Sequence, residues 1–112
     1  MKTFVNQAAQ GDILITRIAE LPANAQLVVP ENGVLVIAHS ETGHHHVMDA
    51  EAVQMYRLPE EIYECFLVVN APTALLHQRP VDTHEPIMHE PGIYRVRRQR
   101  EYVLQGFRRV ED

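Results

Sequence analysis

Every apolar segment in this chain is short, and turn chemistry interrupts it before a helical period can develop. The runs "ILITRI", "QLVV", "VLVIAH", "AVQMYRL", "YECFLVV" and "TALLH" are rich in β-branched residues and are separated by Pro, Gly, Asn and Asp. Turn signals at intervals of roughly 8 to 12 residues mark the short strands of a barrel or sandwich. An amphipathic helix would instead need apolar positions recurring at i, i+3, i+4 and i+7. The 112 residues suffice for one core and not for two. The expectation is an all-β fold, a single small barrel or sandwich domain of short, mainly antiparallel strands over residues 1–112.

"GDILITRI" reads as a first strand opened by Gly11, with Pro22 and Asn24 forming the turn after it. "QLVV" and "VLVIAH" are expected to pair as a hairpin around "PENG", because an Asn32-Gly33 pair tolerates positive φ. "HHHVM", "AVQMYRL", "IYECFLVV" and "TALLHQ" follow as strands, with "PEE" as a turn. Residues 79–92 carry three prolines, which donate nothing to a ladder, so this stretch reads as a looping connection with at most an edge strand. A long last strand, "IYRVRRQREYVL", puts Ile93, Arg95 and Arg97 on one side and Tyr94, Val96 and Arg98 on the other. The second side is apolar only at its start, which places the strand at an edge or across a barrel mouth. An edge of this kind in so small a domain needs protection, and a homodimer is the expected means.

No apolar run approaches the roughly 18 to 20 residues that cross a bilayer, so no membrane partner is expected. "MKTFVNQAAQGD" has Asn, Gln and Asp where a secretory leader needs continuous apolar residues, and the expected setting is cytoplasmic. The single Cys65 lies in the apolar run "YECFLVVN" and reads as a buried, inert thiol. From Tyr94 onward six arginines face three acids, a balance of +3 on a body of −8 within the net −5. Nucleic acid is nevertheless disfavoured as a partner. There is no Gly-rich phosphate loop, no zinc-finger cysteine pair and no RNA-binding signature with interleaved aromatics.

The seven histidines cluster at residues 39–46 and 77–89. Within "TGHHHVM", a strand would turn His44 and His46 to one face and His45 to the other. An H-x-H pair supplies two imidazoles to a Zn, Fe, Mn or Ni ion and needs further ligands from another element. His77 and His84 in the second cluster are the candidates for those. Glu51 and Glu85 are reserve carboxylates: either could ligate the ion directly, which would favour Fe or Mn, or orient a ligating imidazole from behind, the favoured role. His39 reads as a half-buried, hydrogen-bonded residue and His89 as exposed.

The blocks "QGDIL", "TGHHH", "LLH", "HEPI", "PGIYRV" and "QREY" together resemble a family of short, uncharacterised bacterial and phage proteins, over nearly the whole chain. That resemblance carries no mechanism, but His44, His46, His77 and His84 fall on its pattern and His39, His45 and His89 do not. The stretch between His77 and His84 is longer here than in that pattern. His44-x-His46 followed by Glu51 is also similar to the first half of the cupin metal motif. It departs at Ala38, where cupins have glycine, and at Arg95, where their second motif has histidine. The cupin likeness implies at most a comparable small β-barrel with a central histidine site.

Two functional readings stand at this point. One is a metal-binding β-barrel whose mononuclear divalent ion keeps a position open for water or a small-molecule ligand. The other is a non-catalytic interaction module, with structural histidines and a basic C-terminal strand meeting an acidic partner or nucleic acid. No G-x-S-x-G elbow or paired-acid signature assigns catalytic residues.

Overall fold

The computed structural model describes residues 2–38, 45–61, 63–77, 85–98, 100–103 and 106–109. The all-β expectation holds, and the architecture is a sandwich of two antiparallel sheets rather than a closed barrel. The larger sheet contains β1 (Gln7–Gln10), β2 (Ile13–Ile18), β3 (Gln26–Leu27), β6 (Val53–Arg57), β7 (Glu64–Val69) and β10 (Gly92–Arg98), in the spatial order β1-β2-β10-β7-β6-β3. The smaller contains β4 (Val34–Ala38), β5 (His46–Asp49), β8 (Thr73–His77) and β9 (Ile87–His89), in that order. Among the described residues, β11 (Arg100–Val103) and β12 (Gly106–Arg109) pair only with each other.

Strand alternation builds the core. β2 turns Ile13 and Ile15 inward, β7 Cys65, Leu67 and Val69, and β10 Tyr94 and Val96. From the opposite sheet come Leu35, Ile37, Met48, Leu75 and Ile87. Cys65 lies among them, and burial pushes its thiol up to about 12, which removes it as a nucleophile at neutral pH.

The "PENG" turn forms as expected, with Asn32 at φ 53° and Gly33 at φ 74° and reciprocal backbone hydrogen bonds between Glu31 and Val34. The two strands flanking it do not pair beyond that bridge. Leu27 bonds to Tyr56 of β6, whereas Val34 to Ala38 bond to β5, so the turn carries the chain from one sheet to the other. Pro30 lacks the N–H that would extend the hairpin. A first strand, β1, also precedes the one read from the sequence. Gly11, at φ 58°, lies in the β1–β2 turn and does not open β2.

The expected arginine-rich strand is divided: its first part, β10, is not at an edge, and its continuation Arg100–Val103 is β11, paired with β12. β10 lies between β2 and β7, with Tyr94 facing Arg17 and Leu67 and with Arg97 facing Leu14 and Glu64. Its outer face carries the half-buried Arg95, paired with Glu64, and the exposed Arg97. Its inner face continues as Arg98, a charged residue that an inner sheet face accepts only with a buried counterion. One true edge, β9, is covered by the N-terminal segment, whose Lys2 N–H donates to Pro86 and whose Lys2 carbonyl accepts from Met88. Among the described residues no helix is long and apolar enough to cross a membrane.

Candidate functional site

At one end of the sandwich interior the two sheets bring together polar side chains that a core of this size ordinarily excludes. β5 begins at His46, and its ring is fully buried. His77, at the end of β8, is its partner in the ladder, and the two imidazoles stack at 4.3 Å between centroids with planes 12° apart. Facing them from the larger sheet are Gln10 at the end of β1, Asp12 in the β1–β2 turn, and Arg98 at the end of β10. Gln10 and Asp12 are each 2% exposed.

The hydrogen-bond pattern fixes more than position. Gln10 Nε2 donates to the carbonyls of Leu75 and Glu85, both at 3.0 Å. Carbonyls only accept, so the amide cannot be flipped and its Oε1 is the atom turned to His46 Nδ1, 2.8 Å away. His46 must therefore donate from Nδ1, which leaves Nε2 as the nitrogen directed at the site. That nitrogen is 3.6 Å from Asp12 Oδ1, and Arg98 Nη1 is 3.3 Å from the other oxygen, Asp12 Oδ2.

Of the four histidines expected as ligands, the structure brings His46 and His77 into contact. His44 and His84 lie outside the described residues, as does His39. Only His46 of the H-x-H triplet is shown on a strand. His45 precedes β5 and is half-buried. Glu51 is not brought to the site, being exposed in the turn beyond Asp49, where its N–H donates to the Asp49 carboxylate. Glu85 contributes its carbonyl through Gln10, while the residue itself is exposed. Among the described residues no group of three or more His, Cys, Asp or Glu side chains converges as a metal site. The stacked rings explain part of this. Parallel imidazole planes present their nitrogens side by side, so His77 would have to turn about its side-chain bonds to share an ion with His46.

Gln10, Asp12 and Arg98 were not singled out from the sequence. A signal for the first two was present in "QGD", a pair of polar residues flanking a turn glycine immediately before an apolar strand.

His89, expected to be exposed, is fully buried, because β9 pairs with β8 and turns it inward opposite Thr73. Its ring meets the edges of Phe4 at 5.0 Å and Tyr94 at 4.8 Å. Nδ1 donates to the Ile87 carbonyl at 3.2 Å, and the buried Nε2 has no hydrogen-bond partner among the described residues. Burial holds its pKa below the ordinary 6.5. The unfolded chain therefore takes up a proton near pH 6.5 that the folded protein refuses. Stability from this residue is complete above that pH and is lost as pH falls below it, with a limiting slope of about 1.4 kcal/mol per pH unit. In His89→Phe, which keeps a flat ring between Phe4 and Tyr94, the unfolding free energy should fall less steeply between pH 7 and 5.5 than in the wild type. Parallel curves would show that His89 titrates normally.

Comparisons with curated proteins and with solved structures find no match. A family match covers residues 9–99, a span that includes Gln10, Asp12, His46, His77 and Arg98. By that match the chain belongs to the family described as Domain of unknown function (DUF8820).

Proposed function

We propose that this protein binds one divalent transition ion, Zn, Fe, Mn or Ni, at the buried end of the sandwich, with His44, His46, His77 and His84 as its imidazole ligands. The observation that carries the reading is the environment of His46. A fully buried imidazole is held at Nδ1 by a glutamine that is itself fixed at both donors, so Nε2 is committed to the site. Ligating histidines are held in this way, the second nitrogen donating to a fixed oxygen that sets tautomer and ring direction. The adjacent His77 supplies a second imidazole from another strand, as a site assembled across a sheet requires. An ion held by three or four side chains keeps a position for water or a small-molecule ligand.

The test is metal content and affinity of untagged protein, with His44, His46, His77 and His84 each replaced by Ala and His45→Ala as the control. About one ion per chain is expected in the wild type and in the control, and a loss of at least tenfold in affinity in each of the four. Equal metal content in all five variants would refute the reading.

A further inference from the structure

We propose that the side of the sandwich where the chain crosses between the sheets binds a small amphipathic anion, an aliphatic chain ending in a carboxylate, and that Arg57 takes the carboxylate. The site is separate from the metal reading above, since none of Gln10, Asp12, His46, His77 and Arg98 lines it. It arises from the way the chain leaves one sheet for the other. β3 holds only two residues and ends at Leu27, after which the Val28 N–H still donates to the Met55 carbonyl of β6. Pro30 and the turn at Asn32-Gly33 then carry the chain to β4, the edge of the smaller sheet. Two hollows of about 330 Å³ each open on this crossing and share Val28, Val29, Pro30, Leu35 and Met55 as walls.

Three observations select the ligand. First, the size is that of a site for a small molecule, whose pockets run from about 300 to 1,000 Å³ and are mostly apolar with a few polar groups that orient the occupant. Second, Leu27, Val29 and Val34 stand exposed around the same crossing. Apolar side chains gathered at the rim of a groove mark a surface that is covered in use. Third, one wall carries a cation. β6 turns Val53 and Met55 inward, and Arg57 follows on the same face, half-buried. Its Nη1 donates to the Glu64 carbonyl at 3.4 Å, and among the described residues no carboxylate lies within ion-pair distance of it. A guanidinium has five N–H donors in a planar fork that matches a carboxylate, so one carbonyl leaves most of them for a ligand. Glu31 lines the same hollow but is exposed, where water and salt screen its charge. The half-buried Arg57 is screened less, and the hollow therefore favours an anion.

The experiment titrates isotope-labelled, full-length protein with octanoate, kept below its micellar concentration, and separately with octanol, following amide chemical shifts. Octanoate should shift the amides of Val28, Leu35, Met55 and Arg57 to saturation. It should bind at least about tenfold more tightly than octanol, because only the carboxylate makes a charge-assisted hydrogen bond with Arg57. Arg57→Met, which keeps the apolar stem, should bring octanoate down to the affinity of octanol. Arg57→Lys, which keeps the charge and loses the fork, should fall between. Equal affinity of the wild type for octanoate and octanol would overturn the proposal, and that comparison needs no variant to fold. Octanoate that leaves these four amides unmoved would overturn it as well. So would shifts at Leu27, Val29 and Val34 that depend on protein concentration and resist octanoate, which would assign this side of the sandwich to a second copy of the chain.

Discussion

Arg98→Met in metal-free protein is expected to lower the unfolding free energy by about 3 kcal/mol, the lower end of the range for removing one partner of a buried ion pair. Methionine retains most of the arginine stem's apolar contact, so the loss is chiefly that of the guanidinium. Asp12 and Arg98 are 3% and 10% exposed at their side chains, and in the variant the carboxylate remains buried without this cation. Asp12→Asn should recover part of the loss when combined with Arg98→Met, because the negative charge that Arg98 offset is then gone. A double-mutant cycle by urea unfolding, with chelator present, is expected to give a coupling of at least about 1 kcal/mol. Additive single effects would show that the two side chains do not interact. Arg95, paired with Glu64 on the outer face and 38% exposed, provides the contrast. Arg95→Met should cost less than about 1 kcal/mol, because water screens and replaces what the pair supplies.

Arg98 also shows where reading the sequence stopped short. Alternation in "YRVRR" was legible, and so was the anomaly that the inner side of the strand stays apolar only through Tyr94 and Val96. Taken without a counterion, that pattern fits an edge strand. The counterion is Asp12, more than eighty residues earlier, in the turn that leads into β2, whose Ile13 lies opposite Arg98. Long-range pairing of this kind leaves no local trace. The same limit applies to the "PENG" turn. Its chemistry is local and was correct, but which strands bond to which is decided by Leu27 meeting β6 and Val34 meeting β5. His46 and His77 were legible because both are rare, clustered residues. Gln10 was not, because a glutamine in "QAAQ" has no distinguishing chemistry until Leu75, Glu85 and His46 surround it.

Leu75→Ala is expected to cost about 3 kcal/mol, lowering the thermal midpoint of a domain of this size by roughly 12–20 °C. Leu76→Ala is expected to change stability by less than about 1 kcal/mol. The two residues are of one type and consecutive on β8, so differences in strand propensity and in the unfolded chain largely cancel. They differ in face. Leu75 is 0% exposed and opposes Ile87 in the core, while Leu76 is 46% exposed and opposes Val47. Truncating the first opens a cavity that its well-packed neighbours fill only in part, and truncating the second removes carbon already in contact with water. The comparison reaches the site as well as the fold. A slip of β8 by one residue would exchange the two faces, turning Leu76 inward and carrying His77 away from His46. Equal or inverted losses in the two alanine variants would therefore remove the stacked imidazoles along with the register. The expected asymmetry would fix His77 on the buried face that it shares with Leu75, two residues before it and with its carbonyl bonded to Gln10.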